Sequence, residues 1–126
     1  MTWLAVAVGD ALGSMARHWV NLEIAHRWER SVPYATATVN LVGSAIIGVL
    51  AGVIATERLP MSPHLRTFIF VGLLGGFTTF SSFMLDTFTL GHGGHHLAAS
   101  LNGVAQNAIG LALVWAGYTV AASLHW

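Results

Sequence analysis

The residues best suited to chemistry in this chain form a nine-residue run at positions 75–83, which reads Gly-Gly-Phe-Thr-Thr-Phe-Ser-Ser-Phe. The surrounding stretch, 65–85, is otherwise hydrophobic and typical of a membrane helix. Glycine and hydroxyl residues form weak helices, so this run should unwind easily. Because a bilayer tolerates unwound backbone only where it is buried in protein or lines a polar cavity, the run predicts an ion site at a broken membrane helix.

The aromatic side chains of this run favour an anion. Phe80 and Phe83 are three residues apart and therefore share one face of a helix. An aromatic ring has a positive edge, against which a small anion can sit weakly enough to leave again. The hydroxyl residues Thr79, Ser81 and Ser82 beside the rings argue against a purely core or lipid-facing role. Two interpretations stay open at this point: the rings are core or lipid-facing side chains, or they line an anion pathway with this polar stretch beside them.

Three polar side chains in the other predicted membrane segments are further candidates. Asn40 either bonds to a neighbouring helix or donates its amide to an anion. Gln106 is a candidate for lining a pore. Arg17 either reaches an interface, pairs with Glu23 or Asp86, or attracts anions at a pore vestibule.

The composition excludes several classes of function. Of 126 residues, 55% are hydrophobic and 8% are charged, which is far from the balance of a soluble domain. The chain has no lysine and no basic run, so no nucleic-acid partner is expected. It has no cysteine, and no catalytic triad, phosphate loop or paired catalytic carboxylates stand out, so we do not expect an enzyme. His92, His95 and His96 could bind a metal, although a solvated glycine-rich turn is the better interpretation.

The elements that must position these residues are membrane helices. Four segments are long enough to cross a bilayer, at positions 3–24, 33–55, 65–90 and 97–124, with short links between them. The first is the most polar of the four. We therefore predict a single all-α integral membrane domain over residues 1–126, with four transmembrane helices and a break in the third.

The arginines flanking these segments give almost no orientation bias. Arg27 and Arg30 lie between the first two segments, whereas Arg58 and Arg66 lie on the opposite side. A count of two against two leaves two interpretations open. Either so few charges make the rule noisy, or the chain inserts in both orientations, which would permit an antiparallel homodimer.

Three motifs, in order along nearly the whole chain, resemble those of the Fluc (CrcB) fluoride channels. Residues 9–18 read GDALGSMARH and resemble the family's GGxxGAxxRY, and residues 38–44 read TVNLVGS and resemble its TxxVNxxGS. Residues 72–83 read GLLGGFTTFSSF and resemble GxxGGfTTFSTF, which is long and specific.

The resemblance implies a passive, highly fluoride-selective channel in the inner (plasma) membrane. It implies an antiparallel, dual-topology homodimer with two pores, surrounded by lipid. Phe80 and Phe83 would contact fluoride by their ring edges, and Asn40 would donate a hydrogen bond to the ion. The family's polar stretch and its vestibule arginine match Thr79, Ser81, Ser82 and Arg17.

The resemblance also implies a structural sodium ion at the dimer centre. Backbone carbonyls at the break in the third helix would hold it, and Gly75 and Thr78 occupy the matching positions. In the fourth helix the chain departs from the family, which has a tyrosine and hydroxyl residues there. The corresponding stretch here offers Asn102, Gln106 and Gly110.

Two other classes of function compete with a channel. A small, dual-topology, proton-coupled exporter would need a membrane-embedded carboxylate in the first helix, for which Asp10 is the candidate. A non-conducting assembly subunit would tolerate replacement of Phe80 and Asn40 without loss of any flux.

Overall fold

The chain folds into helices joined by short connections. The computed structural model describes residues 2–28 and 33–124, and within these ranges no strand occurs. The four predicted segments match the observed helical stretches to within three residues at each end. The elements are α1 (Thr2–Arg27), α2 (Tyr34–Ala55), α3 (Pro63–Arg66), the π-helix π1 (Thr67–Leu73), α4 (Leu74–Phe77), α5 (Phe80–His92) and α6 (His96–Ser123).

Within residues 2–28 and 33–124, three helical stretches are long and apolar enough to cross a membrane. They are α2, the stretch Pro63–His92 that runs from α3 to α5, and α6, with mean hydropathies of 2.1, 1.8 and 1.4. We call Pro63–His92 the third span. Helix α1 has 26 residues, which at about 1.5 Å per residue is also long enough, but it is more polar. The described chain therefore has the make-up of an all-α membrane protein, and a crossing by α1 stays a prediction.

The third span changes its backbone form along its length. The π-helix π1 has wider turns than an α-helix, a form often found at functional sites. Helix α4 ends at Phe77, and Thr78 and Thr79 are extended, with ψ of 162° and 123°. The Thr79 hydroxyl then caps α5 by accepting a hydrogen bond from Ser82 N at 3.2 Å. Two extended residues thus separate two helices within one hydrophobic stretch.

Glycines bring the helices into close contact in pairs. Helix α2 packs mainly against α6, and α1 packs mainly against π1 and α4. A Cβ atom added at Gly48 would lie 2.8 Å from Val114 Cα, and one at Gly9 would lie 2.6 Å from the carbonyl oxygen of Phe68. These backbones approach closely because glycine has no side chain, which is the usual packing mode of membrane helices.

Candidate functional site: a cavity beside the extended threonines

The site begins with the backbone of Thr79. An extended residue presents its N–H and its C=O on the same side, as in a β-strand. The side-chain amide of Asn40 on α2 pairs with both groups. Thr79 N donates to Asn40 Oδ1 at 2.8 Å, and Asn40 Nδ2 donates to Thr79 O at 3.0 Å. Asn40 therefore satisfies backbone groups that lost their helical partners where α4 ends.

The remaining N–H of Asn40 starts a hydrogen-bond chain towards α6. Asn40 Nδ2 donates to Gln106 Oε1 at 2.9 Å, and Gln106 Nε2 donates to Asn102 Oδ1 at 2.7 Å. Asn102 Nδ2 donates to Thr87 Oγ1 at 2.8 Å, and this hydroxyl donates to the carbonyl of Phe83 at 2.8 Å. We call the side chains of Asn40, Gln106, Asn102 and Thr87 the amide relay. It connects α2, α6 and α5.

The two phenylalanines of the run lie in contact but differ in burial. The rings of Phe80 and Phe83 have centroids 6.1 Å apart and meet edge to face at 62°. Phe83 is 4% exposed and packs inside the protomer, whereas Phe80, the first residue of α5, is 73% exposed. The sequence placed both rings on one helical face, and the structure adds that only one of them is covered by this chain.

A cavity of 350 Å³ lies where the extended threonines, the rings and the first part of the amide relay meet. We call it the polar cavity. Residues from α2, the third span and α6 line it, including Asn40, Ser44, Gly75, Thr78, Thr79, Phe80, Phe83 and Gln106. The cavity thus combines aromatic rings with neutral hydrogen-bonding groups.

Three of the predicted pore residues lie outside the lining of this cavity. Ser81 is exposed, Ser82 donates its backbone N–H to Thr79, and Arg17 lies half-buried on α1. In the described part of the chain the one ion pair joins Arg27 to Glu23, at 3.7 Å. Of the three roles considered for Arg17, the pairing with Glu23 or Asp86 is therefore not observed. The pore roles of Ser81, Ser82 and Arg17 stay predictions.

The carbonyl groups proposed for a cation lie at the end of α4. The carbonyl of Leu74 accepts hydrogen bonds from both Thr78 N, at 3.0 Å, and Thr78 Oγ1, at 2.9 Å. In a continuous helix the carbonyl of Gly75 would accept from Thr79 N, but that N–H donates to Asn40 instead. The end of α4 thus releases the Gly75 carbonyl from its helical partner.

Side-chain clusters that could bind a metal ion were the other candidate considered from the sequence. Among the residues described, no group of three or more His, Asp or Glu side chains could hold a metal ion. His92, His95 and His96 lie at the turn between α5 and α6, and a metal-free, solvated turn there stays a prediction.

Sequence reasoning singled out three residues of the amide relay but not Thr87, which lies at its far end. Asn102 and Gln106 are four residues apart, which predicts that they share a face of α6. Nothing in the sequence links Thr87 to that face, because a threonine in a helix usually bonds to its own preceding turn, as Thr87 also does.

The fold and this site define a class before any comparison. A helical membrane protein with a cavity lined by aromatic rings and neutral amides, at an interrupted span, has the features of an ion pathway. Comparison with known protein families supports the same class. The family model described as CrcB-like protein, Camphor Resistance (CrcB), matches residues 4–118, and the chain belongs to this family.

Several relatives match the chain over almost its full length, and each is named a fluoride-specific ion channel FluC. The relative from Paramagnetospirillum magneticum is 40% identical over 99% of this chain and 98% of its own. The one from Roseiflexus sp. is 44% identical over 96% of this chain and 97% of its own, and the one from Paracoccus denitrificans is 44% identical over 98% and 96%. The chain is therefore a multi-pass membrane protein of a channel family and not an enzyme.

Proposed function

We propose that this chain forms a passive, fluoride-selective ion channel. The observation that carries the proposal is the polar cavity, where the rings of Phe80 and Phe83 meet the neutral amides of Asn40 and Gln106. The full-length relatives named as fluoride-specific channels support the same ion.

The chemistry of the lining suits a small anion that must pass through. The positive edges of aromatic rings and single amide N–H groups attract an anion without a full opposite charge. Binding of this kind is weak enough for the ion to leave, as conduction requires. Fluoride that enters a cell as neutral HF ionises in the more alkaline cytoplasm, and an anion pathway lets it leave down its gradient.

We propose further that the working unit is an antiparallel, dual-topology homodimer with two pores in the inner (plasma) membrane. In this assembly each protomer is one domain over residues 1–126. Helix α1 crosses the membrane in addition to α2, the third span and α6. The balanced arginine count on the two sides supports insertion in both orientations. Phe80 is 73% exposed although it borders the polar cavity, so a second copy would complete the lining that one chain leaves open.

We also propose a structural sodium ion at the centre of that dimer, bound by backbone carbonyls of Gly75 and Thr78. Carbonyl oxygens suit a hard monovalent cation. The support is the end of α4, where Thr79 N bonds to Asn40 and leaves the Gly75 carbonyl without its helical donor.

The test is electrogenic efflux from proteoliposomes loaded with potassium fluoride and started with valinomycin, with potassium chloride as the control. A selective channel releases fluoride rapidly and retains chloride. Absence of fluoride efflux from protein shown to be folded and reconstituted would refute the proposal. A proton-coupled exporter would instead depend on Asp10, which is exposed on α1 and outside the lining of the polar cavity.

A further inference from the structure

The amide relay limits which N–H groups remain for an ion. A carboxamide has two N–H donors. Asn40 spends both, one on Thr79 O and one on Gln106 Oε1. Gln106 Nε2 donates once, to Asn102, and so retains a second N–H. Gln106 is therefore the first amide of the relay, counted from Thr79, that has a donor to spare.

Gln106 also lies between two cavities and lines both of them. It is 9% exposed and lines the polar cavity. It lines a second cavity of 280 Å³ as well, whose walls are mostly apolar and include Tyr34, Leu90 and Leu101. Gln106 is thus a lining residue that the polar cavity shares with a mostly apolar one.

The orientation of the Gln106 amide is determined from both sides. The bonds of Asn40 to the Thr79 backbone decide which end of Asn40 is the nitrogen, and Asn40 Nδ2 then requires Gln106 Oε1 to face it. On the other side, Asn102 Oδ1 accepts from Gln106 Nε2. Asn102 can present this oxygen because its own nitrogen donates to Thr87 Oγ1.

We propose that Gln106 supplies the N–H that binds the anion, and that Asn102 and Thr87 are positioning residues that hold this amide in the binding orientation. Asn40 supports the same arrangement from the opposite end by holding Thr79 and Gln106 together. The inference rests on the proposed fluoride-channel function, within which it names the donor and the residues that orient it.

Fluoride efflux from proteoliposomes containing full-length variants tests this assignment. Gln106→Met keeps the size of the side chain but removes the donor. We expect efflux per reconstituted protein to fall by roughly ten-fold or more, because a hydrogen bond to a charged group is lost. Thr87→Val removes the acceptor of Asn102, and loss of one hydrogen bond corresponds to a fall of roughly five-fold. Thr87→Ser restores the hydroxyl and should return efflux to within about two-fold of the unchanged protein on the same scale.

A double variant separates positioning from a merely structural role. If Thr87 acts through Gln106, then Thr87→Val causes no further loss in a Gln106→Met background, because coupled residues are not additive. Thr119→Val is the matched control, since Thr119 is exposed on α6 and outside the lining of both cavities. It should conduct normally.

Each outcome decides the matter. Three results would overturn the positioning scheme and leave the proposed fluoride channel intact. They are normal efflux in the Gln106→Met variant, normal efflux in the Thr87→Val variant, and an equal loss from Thr87→Val in the unchanged and the Gln106→Met proteins. If Gln106→Met does not fold, the Thr87→Val and Thr87→Ser pair decides, because only positioning predicts loss and recovery of flux at unchanged protein yield. Absence of fluoride efflux from the unchanged protein would overturn both the inference and the proposed function.

Discussion

Replacement of Asn40 by leucine should weaken the fold as well as the ion pathway. Leucine has nearly the same size but can neither donate nor accept. The change removes three hydrogen bonds, two to the Thr79 backbone and one to Gln106, at 2.8, 3.0 and 2.9 Å. At about 0.6–1 kcal/mol for each bond inside a membrane protein, the free energy of unfolding should fall by about 2–3 kcal/mol.

The assay is equilibrium unfolding in mixed micelles, followed by tryptophan fluorescence, with fluoride efflux measured on the same preparations. Ser44→Ala is the control, because it removes one hydrogen bond from the next turn of α2, in which Ser44 Oγ donates to Asn40 O at 2.7 Å. That bond lies within a single helix and leaves Thr79 untouched. We expect Ser44→Ala to cost less than about 0.5 kcal/mol.

The comparison can refute the reasoning directly. Equal unfolding free energies for Asn40→Leu and Ser44→Ala would mean that Asn40 does not support the extended backbone at Thr79. A stable Asn40→Leu protein with normal fluoride efflux would remove Asn40 from both the fold and the site.

Three further predictions test the packing, the rings and the cation. Gly9→Ala places a Cβ atom 2.6 Å from a backbone oxygen of π1, so it should lower the free energy of unfolding by about 1–3 kcal/mol. In the same unfolding assay Gly103→Ala should be neutral or stabilising, because its Cβ atom meets nothing closer than 3.8 Å. Phe80→Ile should reduce fluoride efflux with little change in stability, because Phe80 is 73% exposed. Phe83→Ile should lower both efflux and stability, because Phe83 is 4% exposed. Equal losses of stability in the two variants would contradict this difference. Replacing sodium by a large organic cation should dissociate the proposed dimer, which light scattering would detect, and a dimer that does not respond to sodium would argue against the carbonyl site. Elemental analysis should find no stoichiometric zinc.

The part of the site that could be predicted from sequence is the part encoded by local preference. Glycine and hydroxyl residues in a hydrophobic segment predicted a weak helix, and Thr78 and Thr79 are the residues that leave it. The three-residue spacing of Phe80 and Phe83 predicted rings in reach of each other, which are 6.1 Å apart. These features depend on neighbours in the chain, so composition and spacing are sufficient to find them.

Contacts between distant segments were beyond such reasoning. Asn40 appeared in the sequence as an isolated amide with two possible roles, and only the approach of α2 to the third span shows it bonded to Thr79. Thr87 carried no signal at all, because its partner Asn102 lies on another helix. Ser81 and Ser82 belong to the same run as Thr79 but lie outside the lining of the polar cavity, since α5 restarts at Phe80 and helical geometry turns them away.

By itself, then, the sequence determined the membrane class, the helical segments and the position of the weak point, because hydrophobicity and helix propensity are properties of short stretches. Tertiary structure decided which amide pairs with the backbone and which one retains an N–H donor. Hydrogen bonding is short-ranged and directional, so the partner of each carboxamide depends on atoms brought together by the glycine-mediated packing of α2 against α6 and of α1 against π1. The Gln106 amide is oriented by Asn40, 66 residues away in the chain, whose own amide is held by the backbone of Thr79.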